Sequence, residues 1–285
     1  MRSRSLLFVP GNKANMLEKA EHVAADVVLP DMEDSVPDHE KANARATVAA
    51  HLPRLAAGKP LVFPRVNSLE TGWIEADLEA VVGREIDGIS VGKIGSAADI
   101  SAVSNLLTRF ERNAGLEVGG LGLIPWIETA RAIVHCHEIC IASKRIVGVA
   151  FGAEDFTNDL GVARLDDETQ LLFARSTICT AARAAGIAAL ETPYFEFRNL
   201  DGLRDSSLAA KHLGFKGRFA IHPAQIETIN ACFSPSPEEI AQARRIVAAF
   251  DEASAEGRGS TSLDGRVIDV PVVKRARAVL AAAGE

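Results

Sequence analysis

The sequence has no excess of basic residues. Its 31 Lys and Arg stand against 38 Asp and Glu, for a formal net charge of −7. Nucleic acid binding needs basic surface to meet phosphate, so this balance argues against it as the main activity, although a local basic patch could still receive an anionic ligand. No apolar stretch approaches the roughly 20 residues of a membrane span. The N-terminus, Met-Arg-Ser-Arg-Ser-Leu-Leu-Phe-Val-Pro-Gly, opens basic, but its apolar run is too short for a signal-peptide core and ends at Pro10-Gly11. It reads as a first strand, and the expected compartment is the cytoplasm. Cysteine is scarce. Cys136, Cys140, Cys179 and Cys232 make no disulfide framework in a chain of 285 residues. In His135-Cys136-His137-Glu138-Ile139-Cys140 the two cysteines share a helix face, but no second Cys/His cluster completes a tetrahedral zinc shell, so they read as small buried apolar residues. A G-x-G-x-x-G loop is also missing. Pro10-Gly11-Asn12-Lys13 lacks the spacing, and Gly119-Gly120-Leu121-Gly122 precedes a strand instead of following one.

What is present is alternation. The composition, 47% hydrophobic and 24% charged, is ordinary for a globular enzyme. Runs rich in Val, Ile, Leu and Phe lie near 6–9, 26–30, 61–64, 88–91, 121–127, 146–151, 188–195 and 218–221. Segments with helical spacing lie near 13–24, 39–52, 73–82, 97–113, 129–142, 168–185, 202–213 and 223–232. Strands alternating with helices imply parallel pairing through crossovers, and about eight such units predict a (β/α)8 barrel. A doubly wound sheet is the alternative. It is disfavoured because polar residues follow most strands and do not gather at one crevice. The Pro-rich Ser234-Pro235-Ser236-Pro237 marks a boundary. It divides a barrel domain, 1–233, from a tail, 234–285, with a helix at 238–250, a Gly/Ser-rich stretch, an extended piece from Arg266 and a last helix from Val272. The tail is too small for its own core and is expected to pack on the barrel or on a neighbouring subunit.

Charges end these strands. Asp31, Glu33 and Asp34 follow Val-Val-Leu-Pro, Arg65 and Asn67 follow Leu-Val-Phe-Pro, and Lys93 follows Ile-Ser-Val-Gly. Glu128 and Asp155 close the next two runs. In such a barrel the C-terminal strand ends build the active site. Carboxylates on two adjacent strands can share one divalent ion, with water and substrate oxygens filling the shell as Mg²⁺ prefers, and two solvated loop carboxylates are the alternative. Arg65 could clamp a carboxylate or steady an enolate, with Asp31, Glu33 and Asp34 holding it from behind. Equally, it could be a structural ion pair. Lys93 opens a Schiff-base aldolase as a rival. His222, after the last run, is an acid/base candidate, though a structural histidine fits better.

The ordered motifs Arg4-Ser-Leu-Leu-Phe-Val-Pro-Gly11, Asp31-Met-Glu-Asp-Ser-Val36, Arg65-Val-Asn67, Ile127-Glu-Thr129, Gly152-Ala-Glu-Asp155, Ile221-His-Pro-Ala-Gln225 and Ile268-Asp-Val-Pro271 resemble, nearly end to end, the citrate lyase β-subunit-like branch of the HpcH/HpaI aldolase family. The resemblance implies a (β/α)8 barrel that cleaves or forms a carbon–carbon bond in a 3-hydroxyacyl-CoA such as citryl-, malyl- or citramalyl-CoA. It implies Mg²⁺, with Mn²⁺ able to substitute, on Glu128 and Asp155. It further implies Arg65 as the substrate- and enolate-binding arginine, Asp269 as a catalytic aspartate on a C-terminal lid, and a homotrimer or hexamer. Arg4 and Lys13, near the two ends of the first strand, are candidate contacts to the CoA thioester, Arg4 the weaker. Glu196 and Asn199 stand where family members often carry two aspartates, and Met32 replaces the usual Leu. A malyl-CoA thioesterase is a further rival. So is a non-enzymatic role as one subunit of a citrate lyase complex, for which the sequence identifies no acyl-carrier partner.

Overall fold

The computed structural model describes residues 2–165 and 167–284. The chain forms two compact units, one running to Asn230 and one beginning at Ala231.

The first unit carries nine strands: β1 (Ser5–Pro10), β2 (Val27–Asp31), β3 (Leu61–Val62), β4 (Arg65–Val66), β5 (Gly88–Val91), β6 (Gly122–Ile127), β7 (Gly148–Phe151), β8 (Ala188–Glu191) and β9 (Gly217–Ala220). Between them lie α1 (Ala14–Ala20), α2 (Lys41–Ala56), α3 (Ile74–Val81), α4 (Ala97–Asn113), α5 (Ala130–Val134), α6 (Cys136–Ile141), α7 (Ala153–Leu160), α8 (Leu172–Ala185) and α9 (Leu200–Leu213). The unit ends within α10 (Ile226–Phe233). Every barrel pairing is parallel, and β1 pairs with both β2 and β9, which closes the sheet. β3 and β4 are one strand interrupted at Phe63-Pro64, where proline offers no N–H to the ladder. Counted so, the sheet is an eight-stranded barrel ringed by helices.

The interior follows from the two-residue period of a strand. Leu6, Leu29, Phe63, Ile124, Leu190 and Phe219 fill the barrel. Each such side chain contributes about 1.5–3 kcal/mol when taken fully from water. Toward the C-terminal end the filling turns aromatic. Phe219 lies 5.2 Å from Phe8 and 4.4 Å from Trp126, ring centre to ring centre. One residue pair further up, the inward positions become charged. On the outer shell, buried Arg145 forks onto Glu111 at 2.7 and 2.6 Å and ties α4 to the start of β7.

Within the second unit, α11 (Pro237–Ala255) lies against α12 (Val270–Ala283). A short antiparallel hairpin, β10 (Thr261–Leu263) and β11 (Arg266–Ile268), connects them. Its two-residue turn, Asp264-Gly265, has φ of +51° and +76°, the primed geometry that suits the twist of a hairpin. Ser236 caps α11 in a reciprocal arrangement with Glu239.

Candidate active site

The barrel's C-terminal mouth is built from the last inward position of successive strands. Asp31 on β2 stands directly beside Arg65 on β4 in the ladder. Arg65 grips it with two parallel bonds, Nε and Nη2 each 2.7 Å from a carboxylate oxygen. Its remaining nitrogen, Nη1, lies 3.1 Å from Glu33 and 3.3 Å from Asp34. The guanidinium also lies over the Phe8 ring at 4.5 Å. Such a fork, stacked and paired, is fixed in plane and direction. Burial would raise the Asp31 carboxyl, but the Arg65 charge and the hydrogen bonds from Arg65, Ser35 and Glu33 together outweigh it and hold Asp31 below the usual carboxylate range. Asp31 also accepts from the amides of Glu33 at 2.9 Å and Ser35 at 3.2 Å, so it shapes the loop after β2. From behind, buried Lys41 donates to the carbonyls of Met32 and Glu33 at 2.9 and 2.8 Å. Asn67 also donates to Met32 O at 2.9 Å and is itself anchored on buried Asp77.

Across the mouth, buried Glu128 follows β6. Asp155 sits in the first turn of α7, after β7. Lys93 lies between them. Its ammonium is 2.8 Å from Asp155 Oδ1 and 3.8 Å from Glu128 Oε1, and its backbone N–H donates to Glu128 at 2.6 Å. Lys93 adopts φ +57°, a left-handed conformation that costs a side-chain-bearing residue about 1–2 kcal/mol. Burial would lower its pKa, but Glu128 and Asp155 outweigh burial and raise it. A Schiff base needs a deprotonated amine, so this setting is the opposite of the one that chemistry requires. Glu128 itself is raised, chiefly by burial. Glu33 is pushed up to about 8 by burial, countered by Arg65 and reinforced by Asp34, Glu128 and Asp31.

Two glycines make room for these carboxylates. A Cβ at Gly152 would lie 2.4 Å from Glu128 Oε2, and one at Gly92 would lie 2.8 Å from Glu33 Oε1 and 3.0 Å from Glu128 Oε1. The result is a cavity of about 410 Å³ lined by Asp31, Asp34, Arg65, Glu128 and Asp155 on its polar side and by Phe8, Trp126, Phe195 and Ile221 on its apolar side. Even with Glu33 holding its proton, the carboxylates of Asp31, Asp34, Glu128 and Asp155 outnumber the cations Arg65 and Lys93, so the mouth is short of positive charge.

The other candidates fall elsewhere. Lys13 is exposed just beyond β1, at the mouth end of that strand. Arg4 precedes β1, and because all barrel strands run one way it stands at the opposite rim. There it forks onto Asp26 at 2.9 and 2.8 Å. Asp269 belongs to the second unit, where its exposed side chain caps α12 by accepting from Val272 N at 3.2 Å. His222 caps a turn by accepting from Ala224 N, and it stacks on Phe197 at 4.9 Å. Asn199 caps α9 and donates to Glu196 at 3.1 Å, while Glu196 lines a second cavity of about 420 Å³ that shares Glu154 and Phe195 with the first. The four cysteines are buried and form no disulfide. Lys41 and the aromatic floor under Arg65 escaped the sequence reading. Lys41 opens a helix and looks solvated in sequence, and Phe8 and Trp126 look like ordinary core.

Among the described residues, no helix is long and apolar enough to cross a membrane. The model of the family described as HpcH/HpaI aldolase/citrate lyase matches residues 4–223. The citrate lyase subunit beta of Escherichia coli (strain K12) is 39% identical over 280 residues, 98% of this chain and 93% of that protein. A (3S)-malyl-CoA thioesterase of Cereibacter sphaeroides is 37% identical over 280 residues, covering 98% and 94%. The crystal structure of CitE from Mycobacterium tuberculosis in complex with magnesium, acetoacetate and coenzyme A is 32% identical, with a TM-score of 0.82 over 100% of this chain and 99% of that one. The match of profile, relatives and fold along nearly the whole length shows that the chain belongs to the HpcH/HpaI aldolase/citrate lyase family, whose name is that of carbon–carbon lyases.

Proposed function

We propose that this chain is a Mg²⁺-dependent carbon–carbon lyase that cleaves, or in reverse forms, a 3-hydroxyacyl-CoA of the citryl-, malyl- or citramalyl-CoA type. The observation that carries this reading is the convergence of Glu128 and Asp155 on one ammonium group across a cavity from a fixed Arg65. Their position already accommodates a cation, the donors are all oxygen, and the mouth is short of positive charge, all of which fits a hard divalent ion that keeps water and substrate oxygens in its shell. When bound, Mg²⁺ supplies positive charge to the substrate oxygen that becomes the carbonyl of the oxo acid.

The protein's own residues account for the rest. A base takes the proton of the 3-hydroxyl, the carbon–carbon bond breaks, and its electron pair passes into the thioester as an enolate. Arg65, held in plane by Asp31 and Phe8, presents a cation that needs no reorganisation as that negative charge develops. Protonation of the enolate carbon then gives acetyl-CoA and the oxo acid. Asp269, from the second unit, is the proposed acid/base, with that unit acting as a lid in a homotrimer or hexamer. Lys13 is a proposed contact to the CoA thioester. A cytoplasmic homo-oligomer without subunits of another kind is the proposed setting, with citrate lyase partner subunits as the alternative suggested by the Escherichia coli relative.

A second reading, hydrolysis of malyl-CoA, is favoured by the (3S)-malyl-CoA thioesterase relative. Incubating the purified chain with each of the three thioesters, in Mg²⁺ or in EDTA, and identifying products by mass separates the two. Acetyl-CoA plus an oxo acid, in Mg²⁺ only, is the expected result. Free CoA plus the intact hydroxy acid would establish the thioesterase, and turnover in EDTA would exclude the metal role. Glu128→Gln and Asp155→Asn are each expected to abolish cleavage in a folded protein. Asp269→Asn is expected to lower turnover with little change in Mg²⁺ affinity, and full turnover would leave Asp269 as a helix cap alone.

A further inference from the structure

Lys93 combines features that a merely structural lysine does not need. It follows Gly92 at the end of β5 and holds φ +57°. That conformation aims its backbone N–H at Glu128 Oε1, at 2.6 Å. Glycine would adopt the same conformation without strain and would make the same backbone bond. What a lysine adds at this position is therefore the ammonium, which lies 2.8 Å from Asp155 and 3.8 Å from Glu128. No side chain at Gly92 or Gly152 separates Glu128 from its neighbours, so close carboxylates depend on a cation to stay together.

We infer that Lys93 is a built-in counter-ion of the metal pair: its ammonium holds Glu128 and Asp155 in place while no divalent ion is bound, and it must yield that position when Mg²⁺ enters. This inference rests on the proposed metal reading. Lys93 is a positioning residue here. It sets how tightly the site takes Mg²⁺ and keeps the two carboxylates from repelling each other apart.

The experiment is Mg²⁺ titration of substrate-free protein by calorimetry, joined to thermal unfolding in EDTA and in saturating Mg²⁺. The wild type is compared with Lys93→Met, which removes the charge, Lys93→Arg, which keeps it, and Lys93→Gly, which removes both charge and backbone strain and so guards against misfolding. Loss of a unit charge a few ångströms from a divalent ion, discounted because the lysine side chain is 32% exposed, is expected to tighten Mg²⁺ binding by about tenfold in the Met and Gly variants. The Met variant is expected to unfold earlier than wild type in EDTA and to recover most of that deficit in Mg²⁺. The Arg variant is expected to stay close to wild type in both. A structural role alone would destabilise the Met variant equally with and without Mg²⁺, and that result would overturn the inference. So would Mg²⁺ binding in the charge-removed variants that is no tighter than in a wild type that does bind it. If neither the wild type nor any variant binds Mg²⁺, the metal reading itself falls, and this inference with it.

Discussion

Gly152 offers the sharpest test of where Glu128 must lie. It follows β7 and caps the start of α7 with φ −102°, a value open to any residue, so replacing it with alanine introduces no left-handed backbone strain. The whole effect must come from the added methyl group. That carbon would stand 2.4 Å from Glu128 Oε2 and 2.7 Å from Glu128 Cβ. Ordinary contact begins near ~3.5 Å, so the glutamate must retreat by about 1 Å. On one side Glu33 Oε1 already crowds the space over Gly92, so the retreat is toward the cavity that Glu128 lines. Overpacking of this kind costs roughly 1–3 kcal/mol of stability. A 1 Å displacement of a group that positions the reaction costs on the order of 10²-fold in turnover, or about 2.7 kcal/mol of barrier. Gly152→Ala is therefore expected to fold, by circular dichroism and a single unfolding transition, while losing about two orders of magnitude in turnover at saturating Mg²⁺ and binding the ion more weakly by calorimetry. A Gly152→Ala protein with wild-type turnover and wild-type Mg²⁺ affinity would mean that the position of Glu128 does not matter to the reaction.

Three further expectations follow from the geometry. Glu33 keeps its proton up to about pH 8 in the fold but releases it near 4.5 when unfolded. Between those values the unfolded chain binds fewer protons, so stability falls as pH rises, by at most about 1.4 kcal/mol per unit. Metal-free wild type should lose unfolding free energy relative to Glu33→Gln from about pH 5 to about pH 8, and parallel pH profiles would contradict the burial argument. Arg65→Lys replaces a stacked fork with a point charge and gives up the paired bonds to Asp31, so turnover should fall by about 10²–10³ while the fold persists, and near-normal turnover would remove Arg65 from the chemistry. Arg145→Met leaves the buried Glu111 carboxylate without its counter-ion, held only by the amides of Gly119 and Leu121, and should cost about 3 kcal/mol of stability with little change in the KM of the folded enzyme, whereas an unchanged unfolding midpoint would show that the pair contributes nothing.

The barrel was legible because strands buried on both faces must be apolar along their whole length, and each such run in the sequence became a strand. Where the reading slipped, a local rule was masked. The run at 61–64 became the separated β3 and β4 because Pro64 breaks the ladder. The helix α7 was not foreseen, since Gly152-Ala-Glu-Asp155 reads as a strand-end motif. Yet its acidic first turn and the left-handed Gly161 at its end are both helix signals. The hairpin in the second unit was read as a Gly/Ser-rich stretch and a single extended piece, although Asp264-Gly265 is a hairpin signal. Strands of three residues are too short for alternation to show. The two units divide inside α10, a few residues before Ser234-Pro235-Ser236-Pro237, where α10 has ended and α11 begins. Charges at the mouth could be listed from sequence, and Arg65 set against Asp31, Glu33 and Asp34, but the partners of the two lysines could not. That Lys93 bridges Glu128 and Asp155 depends on a left-handed backbone angle, and that Lys41 reaches back under Met32 depends on the path of a helix. Neither has a spacing signature.

The aromatic floor under the mouth has a use beyond packing. The chain has two tryptophans. Trp126 is 3% exposed, within 5.9 Å of the Arg65 guanidinium, and donates to Ser90 Oγ at 2.8 Å, whereas Trp73 is 37% exposed on the outer shell beneath Arg45. The two indoles therefore sit in different dielectric surroundings, one dry beside the active-site Arg65, the other partly wet beneath Arg45. Their emission should separate into a blue component from the barrel interior and a red one from the rim. The blue component alone should respond when the charge above Arg65 changes. The protein thus carries its own optical reporter of site occupancy, with a reference fluorophore on the same chain.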